Sequence, residues 1–376
     1  MTPSSHFPTP GTSEAKEWQG TVLILLPRQI GDVIVGTSLV NPILKNWPKA
    51  KIVWVVAPMA VSVLKGLSQI HELLILPKKR KGFWGSLLNT ISSIGTFLKI
   101  RRFKACIAID AMANQRTALL SYISGAKTRV SFSTRGSRNI FYTHLVHRDK
   151  LNKSYLGMGR LELLRPLGLS HFTTEDANSH IAFSQKDIDK VKTFFKEHGV
   201  SHEKCILLSP THRRDVRRWP VEKYARLAEK LNAEGYDTLW LWGPGEKDLI
   251  EQGLEQIHQQ FKEKQLVPPL WSLNEVAALS SLCALWVGNS NGLSHVAVAA
   301  GCKTVQLHGP TSPLSWTHSD KESHRAVQRK EGCILCEKNT CALQKRECLE
   351  ELEVEKVYEE CIFLLGKVSM PTETAV

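Results

Sequence analysis

Three groups of side chains in this chain have chemistry to offer: Asp32, the arginines between Thr211 and Trp219, and the turn from Gly288 to His295. Asp32 follows Gly31 just beyond an apolar run, Thr21 to Leu26, the place where open α/β sheets hold their ligands. A carboxylate there can take a proton from a hydroxyl; the same residue type also fills helix N-caps. Only Gly31 precedes it, so no G-x-G-x-x-G loop supports a dinucleotide site. Between Ser209 and Trp219, Thr211 is followed by Arg213, Arg214, Arg217 and Arg218, with Asp215 alone opposing them. Guanidinium forks keep their charge and donate in pairs, which suits a diphosphate; a solvated charge run is the plainer reading. The turn after the apolar strand Ala284 to Val287 carries Asn289, Ser290 and Asn291, whose side chains can bond hydroxyls, and Gly292, which admits a ligand to the backbone. A helix opening at Leu293 or Ser294 adds free N–H groups and the positive end of a dipole. His295, in its first turn, suits a substrate contact or a structural role equally. Cys333, Cys336, Cys341 and Cys348 form C-x2-C-x4-C-x6-C, which lacks the two C-x2-C pairs of a zinc knuckle. Reduced cysteines packing a loop are expected there, with no metal.

These groups need strands behind them and helices after them. The first half predicts strands over Thr21 to Leu26, Lys51 to Val56, Leu73 to Ile75 and Ala105 to Ile109. Helices are predicted from Val33 to Asn46, Ala60 to Leu67, Trp84 to Ile100 and Gln115 to Ile123. The alternation restarts after a connecting stretch near 170–185. Strands run from Cys205 to Leu208, Thr238 to Trp242, Ala284 to Val287 and Thr304 to His308. Helices are expected after Pro220 and over Leu273 to Leu282. Such alternation specifies parallel, doubly wound sheets: an α/β protein of two domains facing a central cleft. The boundaries expected are a flexible tail over 1–18, domains over 19–182 and 183–352, and a closing segment over 353–376.

The 376 residues, 42% of them hydrophobic, are enough for two cores, and the net charge of +13 favours anionic partners. Cys106, Cys205 and Cys283 lie in apolar runs and read as buried thiols of a reducing cytoplasm. Residues 1–18 lack the basic start and apolar core of a signal peptide, and no apolar run reaches the length of a membrane span. A soluble cytoplasmic protein, capable of peripheral contact with the inner membrane, is expected. No helix-turn-helix, zinc-finger or RNA-binding signature accompanies the positive charge, so nucleic acid is not an expected partner.

In order and spacing, several segments resemble the heptosyltransferases of glycosyltransferase family 9. They are Leu25 to Val33, Ile109 to Thr117 with Gly125, Arg217 to Pro220, Leu241 to Gly243, Gly288 to His295, His308 to Thr311, and the late cysteines. The similarity runs from about Val22 to Val357. It implies a GT-B fold with the acceptor on the N-terminal domain, the nucleotide-sugar on the C-terminal one, and a last helix, near Val354 to Leu365, crossing back onto the first. It implies Asp32 as catalytic base and Arg217, where lysine is usual, as holder of the diphosphate. On the donor side it groups Thr211, Arg213, Gly243, Glu246, Ser290, Asn291, Gly292, Leu293 and His295. On the acceptor side it groups Arg28, Asn114, Arg116 and Arg138. Transfer by such enzymes inverts the anomeric centre without metal or cofactor. Ser290-Asn291 departs from the Asp-Thr or Asp-Ser of many heptosyltransferases, and a serine hydroxyl brings no charge to the donor sugar.

The function expected is therefore inverting transfer of a sugar, with heptose from ADP-heptose as the leading donor. The acceptor would be a phosphorylated, lipid-linked oligosaccharide of the lipopolysaccharide inner core. Two alternatives use the same residues differently. One is a nucleotide-sugar epimerase of the same fold, which turns over donor without acceptor; the other is a basic protein that binds anionic lipid or nucleic acid.

Overall fold

Most strands in this chain are apolar nearly end to end, as strands covered on both faces must be. The computed structural model describes residues 7–77, 95–152, 154–333, 335–343 and 346–366; Lys78 to Lys81 and the start of the helix expected at Trp84 lie outside them. The chain folds as two units, Met1–Ala182 and Phe183–Val376. The first unit holds strands β1 (Thr21–Leu25), β2 (Lys51–Val56), β3 (Glu72–Ile75), β4 (Ile107–Asp110), β5 (Thr128–Phe132) and β6 (His144–Val146) in the order β3-β2-β1-β4-β5-β6. The second holds β7 (Cys205–Ser209), β8 (Asp237–Trp240), β9 (Gln265–Leu266), β10 (Leu285–Asn289), β11 (Thr304–Leu307) and β12 (His324–Val327) in the order β12-β11-β10-β7-β8-β9. All neighbouring pairs are parallel. Counted from its own first strand, each sheet has the same order, with the winding reversed between strands one and four. That reversal is where a doubly wound sheet opens a crevice for ligands. The α/β class with two doubly wound parallel sheets is as the sequence predicts.

Several elements differ from expectation. The helix predicted over Val33 to Asn46 begins earlier, as α1 (Ile30–Gly36), and breaks into a 3-10 turn at Thr37–Leu39 before resuming at Val40–Asn46. Thr37 Oγ1 donates to the Ile34 carbonyl at 2.6 Å and Ser38 Oγ to the Val35 carbonyl at 2.9 Å. Hydroxyls returning to the preceding turn bend a helix, and Pro42 supplies no N–H to continue the ladder. Residues 7–18, expected as a flexible tail, pack onto the first unit instead. Phe7 and Trp18 both meet the Trp47 ring edge-on, at 5.7 and 5.8 Å, and Trp47 Nε1 donates to the Pro8 carbonyl. Strands β5, β6, β9 and β12 were not foreseen. The last helix (Val354–Leu364) packs on strands β10 to β12 and the helix Val221–Ala233 of its own unit. Among the described residues no helix is long and apolar enough to cross a membrane.

The second core collects Trp219, Tyr224 and Trp240 with the apolar strands around them. Buried histidines lie at its polar margin. His308 Nε2 is 2.9 Å from Thr317 Oγ1, and His324 Nδ1 is 3.0 Å from Thr304 Oγ1. Burial, then His295 and Lys321, holds His308 down to about 3; burial, then His318, holds His324 down to about 4. Both therefore bind a proton more readily unfolded, where the value is about 6.5, so their contribution is complete above that pH and is lost as pH falls toward 4. The urea midpoint should drop between pH 7 and pH 4.5, and His308→Gln should drop less over the same interval. Equal slopes for the two proteins would remove His308 from this account.

Candidate active site

Asp32 is the third residue of α1, not its cap; the N-cap position belongs to Gln29. Its carboxylate is held by two guanidiniums. Arg160 Nη2 reaches Oδ1 at 3.1 Å, and Arg28 Nε lies 3.4 Å from Oδ2. Arg160 is 3% exposed, and its second nitrogen donates to the carbonyl of Asp32 itself, so one buried side chain fixes both the backbone and the carboxylate of that residue. Burial pushes this guanidinium down from its usual range, and Asp32 opposes that push. With 12% of its surface still exposed, the Asp32 side chain remains reachable.

Across the winding reversal, β4 ends in Asp110, which is fully buried. Its Oδ1 accepts from the N–H groups of Met112 and Ala113, both at 2.9 Å, and its Oδ2 accepts from the Tyr142 hydroxyl at 2.6 Å. Burial raises the Asp110 carboxyl, and burial beside it raises the Tyr142 phenol. The turn so fixed leads into α2 (Gln115–Ile123). There Asn114 accepts from Thr117 N at 2.8 Å and Thr117 Oγ1 accepts from Asn114 N at 3.1 Å, a reciprocal cap. Asn114 thus shapes the loop rather than standing free in it. Arg116 is half-buried in the first turn, lowered by that burial, and Arg138 Nη1 donates to the Ala113 carbonyl at 3.2 Å. The four acceptor-side candidates divide accordingly: Arg28 flanks Asp32, while Asn114, Arg116 and Arg138 gather at the end of β4.

In the second unit the loops after β7 and β10 are tied together by two asparagines. Asn289, fully buried, accepts from Trp219 N at 2.9 Å and donates to the Pro210 carbonyl at 2.7 Å. Asn291 donates to the Thr211 carbonyl at 2.9 Å, and its Oδ1 caps the helix Gly292–Ala299 by accepting from Leu293 N and Ser294 N. Both amides are thus occupied by backbone. Gly288 permits the strands to sit this close, since a Cβ there would lie 2.6 Å from the Ser209 carbonyl oxygen. What this scaffold presents is Arg217. Arg218 is engaged by the His212 carbonyl and Asp215, whereas the buried Nε of Arg217 has no hydrogen-bond partner among the described residues. Burial first, then Arg214, lowers Arg217, with Glu337 opposing. A buried cationic donor without a protein partner is a group that an anion can satisfy. His212, in the same loop, is lowered to about 4 by burial and the neighbouring arginines, so it adds no charge at neutral pH.

The remaining candidates are placed less uniformly. Arg213 is exposed, and Thr211 is buried with its carbonyl held by Asn291. Ser290, Gly292 and Leu293 are partly open at the helix start. Gly243 N donates to Glu246 Oε2 at 3.0 Å in the loop after β8, one strand outward from the reversal. His295 is 4% exposed and lies beside the Trp316 ring, buried under the turn. The cysteines do converge: Cys348 is pushed up to about 11 by burial and by Cys333, Cys336 and Cys341 near it. Even so, no three His, Cys, Asp or Glu side chains among the described residues are placed to hold a metal ion. Arg160 was missed by sequence reasoning, because nothing local marks an arginine 128 residues away as the partner of Asp32.

The model of glycosyltransferase family 9 (heptosyltransferase) matches residues 97–347. The chain belongs to glycosyltransferase family 9. Lipopolysaccharide heptosyltransferase 3 of Escherichia coli K12 is 23% identical over 293 residues, covering 77% of this chain and 82% of that one. Among solved structures, the family 9 glycosyl transferase of Veillonella parvula superposes with a TM-score of 0.75 at 21% identity, over 93% of this chain and 98% of that one. The E. coli ADP-heptose lps heptosyltransferase II does so at 0.69 and 19% identity, over 92% and 99%. These likenesses make the fold GT-B. This family 9 chain is a glycosyltransferase whose two switch points carry Asp32 and Arg217, respectively.

Because Asn289 satisfies two buried backbone groups, Asn289→Ala should lower unfolding stability by about 1–3 kcal/mol, read from a denaturant titration. The same variant should bind inorganic diphosphate more weakly, since the loop bearing Arg217 loses its tie. A loss of stability with unchanged diphosphate affinity would show that the loop holds its shape without Asn289.

Proposed function

We propose that this chain transfers heptose from ADP-heptose to a phosphorylated, lipid-anchored acceptor of the lipopolysaccharide inner core, with inversion and without metal. The buried Nε of Arg217, without a hydrogen-bond partner among the described residues, carries the reading, since the strand-end loop around it holds four arginines against one aspartate. The names of the relatives support heptose and lipopolysaccharide. Arg217, with the N-terminus of the helix at Gly292, would balance the charge that builds on the departing diphosphate, as preorganised donors do. Asp32 would take the proton from the acceptor hydroxyl as its oxygen bonds to the anomeric carbon and the bond to the diphosphate breaks. Attack from the face opposite the leaving group inverts that centre. Ser290 and the exposed Arg213 would meet the donor, and Arg28, Arg116 and Arg138 the acceptor phosphates. Fixed cations take the role a metal would otherwise fill. The enzyme would work at the cytoplasmic face of the inner membrane, where such an acceptor is anchored.

Asp32→Asn should abolish transfer from ADP-heptose while leaving ADP affinity within a few-fold; Arg217→Ala should instead weaken ADP binding, with Arg217→Lys partly restoring it. A turnover near wild type in the asparagine variant would assign the proton to another group. Prolonged chelator treatment should leave the rate unaltered, whereas activity lost to chelator and regained with a divalent ion would end the metal-free mechanism.

A further inference from the structure

Charge is distributed very unevenly along the first unit. Residues 95–148 contain ten lysines and arginines and one acid, Asp110. That acid is fully buried and held by Tyr142 and two backbone N–H groups, so it neutralises nothing at the surface. Surface runs ordinarily mix both signs; a solvent face of a single sign marks an anionic partner.

Within the same stretch, large apolar side chains stand in water. Ile140 is 74% exposed, Leu98 65%, Tyr122 55% and Leu119 37%. Contacts made by their chain neighbours tie together the elements that carry them. Leu119 and Tyr122 are neighbours on α2 at a spacing of three. The Tyr122 ring meets Phe141 at 5.7 Å, next to Ile140 in the chain, and Arg129 lies over Tyr122 at 5.5 Å while its Nε donates to the Phe141 carbonyl at 2.7 Å. Arg101, one turn after Leu98, donates to the Ile123 carbonyl at 3.3 Å, closing the end of α2. Leucine and isoleucine tips set among arginines, rather than a row of stacked aromatic rings, suit the boundary between lipid headgroups and acyl chains better than nucleic acid.

We infer that this face, Leu98, Leu119, Tyr122 and Ile140 ringed by Arg101, Lys127 and Arg129, docks the enzyme on an anionic membrane surface. It extends the proposed lipid-anchored acceptor from chemistry to attachment, and rests on that reading only for its purpose. Cations draw the face to anionic headgroups, and the apolar tips then enter the interface, so each needs the other for lasting attachment.

The test is co-sedimentation of the full chain with vesicles of phosphatidylcholine alone and with phosphatidylglycerol added, without donor or acceptor. Binding should require phosphatidylglycerol, weaken with salt, and fall about tenfold in both Ile140→Asp and Lys127→Glu. Both substitutions are at exposed positions, so unchanged melting and unchanged transfer to a soluble, lipid-free acceptor should accompany the loss. Equal binding to neutral vesicles, or variants that bind as wild type does, would overturn the assignment. So would duplex RNA captured in place of vesicles, or a dimer in sedimentation that Ile140→Asp dissolves; these would hand the face to nucleic acid or to a second copy. Vesicle binding that persists in a chain unable to transfer heptose would overturn the proposed activity and leave the docking face standing.

Discussion

Each parallel sheet of this chain reverses its winding at one pair of neighbouring strands, and Asp32, Asp110, Asn289 and Arg217 all lie at the ends of those strands or in the segments that follow them. Loops leaving the two strands turn to opposite faces, so backbone polar groups there lose the neighbour they would have elsewhere. Both units answer this in the same way. The last residue of the fourth strand is a fully buried polar side chain: Asp110 at the end of β4, Asn289 at the end of β10. Each bonds backbone of the surrounding loops. Their interiors fixed, the loops can hold Arg217 and Arg116 half-buried, where each guanidinium is lowered by lost hydration and gains from meeting an anion.

Carboxylate and cations are handled differently. Asp32 is balanced within its own unit by Arg160 and Arg28, so its position does not wait on a substrate. Arg217 is surrounded by like charge, with Arg213 and Arg214 near and Glu337 the counterweight. In the proposed transfer, the acid held by cations would receive a proton and the cation crowded by cations would receive a negative charge.

How much of this the sequence discloses depends on the range of the cause. The strands bordering each reversal were legible because burial on both faces leaves an unbroken apolar run, and Asp32 was found by its place after one of them. Asn114 and Thr117 stand at the spacing of a reciprocal cap, a local signal passed over when Asn114 was grouped with the acceptor. Of the strands that escaped notice, β6, β9 and β12 lie at sheet edges, and β6 has three residues and β9 two, too few for a period to show; β5 is internal and five residues long, but Thr128, Arg129 and Ser131 interrupt its apolar run. The segment from Phe7 to Trp18 looked unstructured because its stabilising partner, Trp47, is remote in sequence. The break at Thr37 was hidden by apolar periodicity that runs straight through it. Arg160 combines these difficulties: it is an arginine inside a core, explained only by a carboxylate the sequence cannot bring to it.

That same pairing fixes an order of events during synthesis. Arg160 follows Asp32 by 128 residues, so at about 5–20 residues per second the ribosome needs roughly 6–25 s to supply the second member after the first. For that interval β1 to β5 can emerge and begin to pair while α1 still lacks the side chain that anchors its backbone. The nascent first unit can therefore acquire its sheet before the corner that holds Asp32. Chains arrested short of Arg160 would have strands in register and a carboxylate without an address.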